Sequence, residues 1–259
     1  MTMQAPVESA RADHERAHGR MLAASDPEAI WGWKTPAGRR RARRRARLIA
    51  AGGELRPGSH VLEIGCGTGM FTAMFAKTGA HILAVDISPE LIERARARGL
   101  PGNQVQFFDR PFEACDVDGP FDAIIGSSVI HHLDVEASLR KMFALLRPNG
   151  KISFAEPNLL NPQVFLERKL RFLPWFSYVS PDEAAFVRWS LARRLRRLGF
   201  VDVLIQPFDW LHPKTPRLLI PVIRGLGWVL EHLPGTREFS GSLFISARRP
   251  AENRVRLAA

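Results

Sequence analysis

Cysteine is scarce. Cys66 and Cys115 are the two in 259 residues, which excludes a disulfide framework and fits a reducing compartment. No run of about eighteen apolar residues occurs, so no membrane-spanning helix is expected. Residues 1–20 carry Glu8, Arg11, Asp13, His14, Glu15 and Arg16 and lack the apolar core of a signal peptide. That points away from secretion and toward a cytoplasmic protein. No cysteine–histidine cluster has the spacing of a metal site, so none is expected. Internal repeats are absent, and the arginine run at 39–47 is the one biased segment.

What is present is an ordinary globular composition, 46% hydrophobic and 24% charged, in a length that suits one α/β domain with decorations. The net charge is +11, and Arg39, Arg40, Arg41, Arg43, Arg44, Arg45 and Arg47 supply much of it. Such charge reads as a surface for an acidic partner (nucleic acid, anionic lipid or a phosphorylated substrate) or as a solvated arginine-rich face.

Residues 1–25 read as polar and poorly anchored. Thr35-Pro36 is a helix start, and 37–51 reads as a basic helix. From residue 55 onward, short apolar runs alternate with helical segments. Strands are predicted at His60–Ile64, His81–Asp86, Gln104–Phe108, Phe121–Gly126 and Lys151–Glu156. Helices are predicted at Met70–Lys77, Ser88–Arg98 and Val135–Leu146, with a turn at Arg147–Gly150. This rhythm means a parallel sheet with helices on both faces. Beyond Glu156 a helix at Pro181–Leu198, a strand at Phe200–Gln206, an interrupted helix at 215–233 and a last strand at Ser242–Ala247 follow. The division is an N-terminal extension over 1–54 and a catalytic domain over 55–259, with apolar insertions at 158–180 and 211–234.

The chemistry centres on Gly65, Gly67 and Gly69, directly after a strand and before a helix. Glycine lets the backbone turn tightly and approach a ligand, and the helix start aims N–H groups at the loop. The dinucleotide pattern G-x-G-x-x-G fails at Met70. Asp86 ends the second strand twenty-one positions after Gly65, where a carboxylate can accept both hydroxyls of a ribose. His131 and His132 follow the fourth strand at the same edge, and Glu156 ends the fifth. Each is a candidate general base, or a packing or substrate-orienting group.

Val61-Leu-Glu-Ile-Gly-Cys-Gly-Thr-Gly69, Val85-Asp-Ile-Ser-Pro89, Phe121-Asp-Ala-Ile-Ile, Ser127-Ser-Val-Ile-His-His-Leu133 and Leu146-Arg-Pro-Asn-Gly150, in this order, resemble class I S-adenosylmethionine-dependent methyltransferases of the small-molecule type. The resemblance is strong over about residues 55–160. It implies a Rossmann-like, seven-stranded, mostly parallel sheet whose final strand is antiparallel. It also implies that Glu63, Gly65, Cys66, Gly67, Thr68 and Gly69 hold the methionine portion of the cofactor. By the same likeness Asp86 takes the ribose, Ile87 packs on the adenine, and Ser127 and Val129 lie beside the methionine end. One departure stands out. Where family members carry an acid for the adenine amino group, this chain has Pro111, so Asp109 or backbone groups near Phe112 must serve.

The expected reaction is in-line displacement at the sulfonium methyl by a small-molecule acceptor. No Asn/Asp-Pro-Pro-Tyr/Phe sequence follows the fourth strand, which disfavours DNA adenine methylation. Neither cysteine lies in a Pro-Cys context suited to attack on a pyrimidine. RNA modification, binding of the cofactor without turnover and, last, nicotinamide chemistry are the competing readings. Trp31 and Trp33 could line the methyl-donor mouth or pin the leading helix, and Arg44 and Arg47 could approach an anion. Asn158, Trp175 and Tyr178 are substrate-side candidates, the last two in an apolar stretch placed like a lid. An apolar or lipid-like acceptor, contact with an anionic membrane surface, and a monomer or homodimer complete the expectations.

Overall fold

The computed structural model describes residues 10–170 and 186–251. The apolar runs become seven strands: β1 His60–Ile64, β2 His81–Asp86, β3 Val105–Asp109, β4 Phe121–Ser127, β5 Leu146–Pro157, β6 Val201–Phe208 and β7 Ser242–Arg248. They form one sheet in the order β3-β2-β1-β4-β5-β7-β6. Strands β1 to β5 run parallel, and β7 is antiparallel to both β5 and β6. The chain steps outward from β1 to β3 and then crosses back to β4. That reversal opens a crevice at the carboxyl ends of β1 and β4.

The central strands are buried on both faces, as a helix-covered parallel sheet requires. Alternation along each strand sends its side chains to opposite cores. Leu62, Ile64, Ile124, Ile152 and Phe154 join one cluster, while Val61, Ala123, Ile125 and Ala155 join the other.

The helices are α1 Ala10–Ala23, α2 Pro27–Ile30, α3 Pro36–Gly52, α4 Thr72–Phe75, α5 Pro89–Arg96, α6 Val135–Leu145, α7 Pro162–Lys169, α8 Arg188–Arg197 and α9 Ile220–His232. Leu139 and Met142 of α6 and Leu191 and Leu195 of α8 cover one face of the sheet. Ala46 and Ile49 of α3 and Ile92 of α5 cover the other. Side-chain caps begin several of them. Thr35 accepts from Gly38 N, Ser88 from Leu91 N, Asp134 from Ala137 N, and Asn161 from Gln163 N and Val164 N. None of the helices among the described residues is long and apolar enough to cross a membrane.

Four local expectations need correction. Residues 10–23 are helical rather than unanchored, because tertiary contacts hold a segment with little intrinsic stripe. Leu22 is buried, Arg11 donates to Leu133 O, and Arg94 Nη2 donates to Ala23 O at 2.6 Å. The helix expected at 70–77 is reduced to α4 and a 3-10 turn at Ala76–Thr78, which Gly79 ends in a left-handed conformation with a φ of 81°. The turn at 147–150 survives only as a bulge within β5. Phe121 pairs with Leu146 and Ala123 with Lys151, and Asn149 takes a φ of 66° to absorb the extra residues. The helix expected from Pro181 begins at Arg188, because Phe186 is spent on a bridge to Asn158. Residues 181–185 lie outside the described ones.

Candidate active site

Beyond Ile64 the chain turns through Gly65–Gly69. Gly65 has a φ of +67°, and a Cβ there would lie 2.4 Å from Val129 Cγ2. A side chain is therefore excluded on both counts. Gly65 N and Cys66 N donate to Val85 O at 2.8 and 3.2 Å, which ties the loop to β2. Gly67 N donates to Asp86 Oδ2 at 2.7 Å, and Ser88 N to Oδ1 at 3.0 Å. Asp86 thus fixes the loop's height. Burial raises its pKa, and the N–H bonds from Ser88 and Gly67 offset part of that rise.

A cavity of about 900 Å³ runs along the carboxyl edge of β1, β2 and β4. Gly65, Cys66, Gly67, Thr68, Asp86 and Ile87 line one side, and burial pushes the Cys66 thiol up, well above its ordinary range. Phe112, Ser127, Val129, His131 and His132 line the next. The opposite wall comes from the N-terminal helices, through Glu15, His18, Leu22, Trp31 and Trp33. Thr68 Oγ1 donates to Glu28 Oε1 at 2.9 Å, and Arg98 pairs with the same carboxylate, so α2 is clamped to the glycine loop. Trp31 sits over Gly67, where a Cβ would come within 3.4 Å of the indole.

His131 and Glu156 are brought together from β4 and β5. Glu156 is completely buried and His131 is 4% exposed. His131 Nδ1 meets Glu156 Oε2 at 2.6 Å, and Val129 N and Ile130 N donate to Oε1 at 2.9 and 3.0 Å. Burial drives the Glu156 carboxyl up, but His131 and the two N–H donors more than offset this and hold it below its ordinary value. The carboxylate stays charged with both oxygens occupied by the protein, and it does not line the cavity. Its two oxygens therefore meet His131 and the Val129–Ile130 backbone rather than the cavity. His132 pairs with Glu15 of α1 at 3.0 Å, its ring 4.1 Å from that of His131.

The arginine run is not a uniformly solvated face. Arg41 Nε pairs with Asp209 at 2.7 Å, and Arg44 Nη1 with Glu231 at 2.7 Å. Arg45 is 3% exposed and lines the cavity. Its Nη1 donates to Ser128 Oγ at 2.7 Å and Ala155 O at 3.1 Å, and its Nη2 to Ser242 Oγ at 2.6 Å. Among the described residues its Nε has no hydrogen-bond partner. Burial, with Arg41 adding, lowers its pKa to about 10, still charged at neutral pH. Arg47 is exposed and its Nε donates to Arg43 O.

Several expected site residues lie elsewhere. Glu63 is buried beneath the loop, away from the cavity wall, because its side chain points into the sheet's covered face beside Thr72. Gly69 faces Ala95 of α5 rather than the cavity. Asp109 is exposed at the end of β3, whereas Phe112 lines the cavity. Asn158 is 1% exposed and donates to Glu238 O and Ser240 O at 2.7 and 2.8 Å, which pins β5 to the turn before β7 instead of facing a substrate. Trp175 and Tyr178 lie outside the described residues.

Arg45, Glu28, Glu15 and the segment Trp210-Leu-His212 on the cavity's far wall were not among the expected site residues. For Arg45 a signal existed. Ala42, Arg45, Ala46 and Ile49 share one face of α3, and that face is buried. Arg39, Arg40, Arg43 and Arg47 point outward.

Comparison with known proteins agrees with this geometry. A methyltransferase domain family model matches residues 37–205. A ubiquinone biosynthesis O-methyltransferase of Xanthomonas campestris is 29% identical over 167 residues, covering 59% of this chain and 69% of that protein. One from Xylella fastidiosa is 37% identical over 152 residues, covering 55% of this chain and 61% of its own length. Among solved structures, the N-methyltransferase NodS from Bradyrhizobium japonicum, in complex with S-adenosylhomocysteine, aligns with a TM-score of 0.59 at 19% identity. That alignment covers 92% of this chain and 100% of NodS. With a Rossmann-like seven-stranded sheet, a glycine loop tied to Asp86 and a family match over more than half its length, the chain belongs to the methyltransferase domain family.

Proposed function

We propose that this chain transfers the methyl group of S-adenosylmethionine to a small-molecule acceptor bearing a protonated nucleophile. The observation that carries the reading is one cavity holding the Asp86-tethered glycine loop, the buried Arg45 and the Glu156-oriented His131.

The residues present fit the cofactor on two structural grounds. Gly67 leaves room between the loop backbone and Trp31 that any side chain would fill. Arg45 keeps a buried guanidinium in the cavity wall with hydroxyl and carbonyl partners and, among the described residues, no carboxylate in contact. In this reading Asp86 accepts from the ribose hydroxyls, Ile87 and Phe112 flank the adenine, and Arg45 answers the carboxylate of the methionine portion. When bound, the cofactor supplies an electrophilic methyl on a sulfonium.

The protein's own residues bind, align and manage a proton. Gly65–Thr68, Ser127 and Val129 shape the donor side of the cavity. Glu156 accepts the Nδ1 hydrogen of His131, which leaves the lone pair on Nε2, and His131 takes the acceptor's proton there. Val164, Trp210 and Leu211 give the acceptor end an apolar lining. The cavity's volume of about 900 Å³ is at the upper end for small-ligand sites. An apolar acceptor alongside the cofactor fits that volume. Titration calorimetry with S-adenosylhomocysteine and NAD tests the first step. S-adenosylhomocysteine binds and NAD does not; binding of NAD alone overturns the proposal.

A further inference from the structure

We propose that α9 and the turn before it form a docking surface for an anionic lipid bilayer. The surface goes beyond the methyl-transfer reading and stands without it.

Val222, Leu226, Val229 and Leu233 are 64, 53, 43 and 47% exposed. Their spacing of four, three and four residues places them on a single helical face. Leu218, 89% exposed, and Leu219 prolong the stripe by a turn, and Trp228 flanks it. Over thirteen residues the face extends about 20 Å. Large apolar side chains scattered singly over a surface need no explanation, but a contiguous stripe does.

The helix cannot hide this face by rolling, because its other side is fastened. Glu231 accepts from Asp209 N at 2.9 Å and from Arg44 Nη1 at 2.7 Å. Ile220 packs with Leu211 and Ala37, and Gly227 lets α9 lie against Trp210. The stripe is held outward by the same segment, Trp210–Leu211, that lines the acceptor end of the cavity.

Charge selects the occupant. Glu231 is the one acid in residues 216–235, and it is buried, whereas Arg217 and Arg224 are exposed. The chain as a whole carries +11. A second copy packed on the stripe would bring Arg217 toward its equivalent with no exposed acid of α9 to answer it. Anionic headgroups answer Arg217, which adjoins Leu218 at the start of the stripe, and the stripe seats at the headgroup–acyl boundary. A bilayer so bound places the acceptor end of the cavity next to the interface.

Vesicle flotation tests the proposal, and it needs neither cofactor nor turnover, so it is independent of any failure of the methyltransferase reading. At low salt the full chain floats with phosphatidylcholine vesicles containing phosphatidylglycerol and much less with phosphatidylcholine alone. Leu226→Glu, at a half-exposed site that folding does not need, lowers the partition by roughly tenfold or more with an unchanged thermal melt. Arg217→Gln lowers it by about fivefold on anionic vesicles only. Three results overturn the proposal. One is no flotation of the wild type with anionic vesicles. Another is a Leu226→Glu variant that floats like the wild type. The third is a dimer in light scattering that Leu226→Glu dissociates while vesicles capture neither form, which assigns the stripe to a second copy.

Discussion

His131 Nδ1 lies 2.6 Å from Glu156 Oε2, a contact between the segment after β4 and the end of β5 with both side chains buried. The second carboxylate oxygen is held by Val129 N and Ile130 N, so the glutamate cannot turn away. The geometry fixes which imidazole nitrogen carries the hydrogen, and that decides the chemistry open to His131.

Replacing Glu156 by Gln keeps the shape and reverses the hydrogen bond. The amide oxygen still accepts from Val129 N and Ile130 N, but the amide nitrogen donates to Nδ1 and moves the imidazole hydrogen to Nε2. For Glu156→Gln, kcat falls by roughly 10²–10⁴-fold with little change in KM and a melting temperature near that of the wild type. Steady-state kinetics beside a thermal melt checks this. A kcat within about twofold of wild type removes His131 from the base role.

Asp86 has one oxygen on Gly67 N and the other on Ser88 N, and both remain able to accept from a ligand. Asp86→Ala weakens S-adenosylhomocysteine binding about ten- to a hundredfold, the worth of one or two charge-assisted hydrogen bonds. Calorimetry measures it. Unchanged affinity refutes the ribose assignment.

Arg45 separates two ligands that differ only in the amino-acid portion. Arg45→Met keeps an unbranched stem of similar length and removes the guanidinium, whose Cζ lies 5.6 Å from the Trp33 ring and 5.9 Å from the Phe208 ring. S-adenosylhomocysteine binding drops roughly tenfold or more, while 5′-methylthioadenosine, which has no carboxylate, binds as before. If both ligands lose affinity equally, Arg45 serves only to tie Ser128, Ala155 and Ser242 together.

Glu63 makes stability depend on pH. Burial raises its pKa to about 8; Asp86 adds to the rise, and the neighbouring Thr72 hydroxyl opposes it in part. Its ordinary value is 4.5. Between these values the folded chain holds a proton that the unfolded chain has released. The site's stabilisation is therefore complete below the ordinary value and is lost as pH rises through about 8. The slope reaches about 1.4 kcal/mol per pH unit. Glu63→Gln abolishes that slope, so urea titrations across this window show the variant gaining on the wild type as pH rises. Parallel curves would mean that Glu63 is ionised at neutral pH.

Much of the site was legible in the chain because its determinants are local. Gly65 and Gly67 follow a short apolar run, Asp86 ends the next, and Ser88-Pro89 starts a helix beside it. Each of these depends on neighbours within a few residues, and each stands where the pattern put it. Residues 10–23 misled because their polar sequence does not show that Gly19 can approach Ser88 or that Glu15 can meet His132. Asn158, a substrate-side candidate for its place near Glu156, is turned toward Glu238 and Ser240 by the register of β5 on β7, which the local sequence does not show.

The antiparallel last strand was implied by the family resemblance; by itself, the sequence determined the parallel sheet and the strand–loop–acid unit around Gly65, Gly67 and Asp86. These follow from periodicity and backbone conformation, which are properties of short stretches. Only the tertiary structure decided that Arg45 turns inward while Arg43 and Arg47 do not, that Glu156 meets His131 and stays off the cavity wall, and that α9 leaves an apolar stripe uncovered. Each of those depends on what lies opposite a side chain, and in this fold the opposite residue is often more than a hundred positions away.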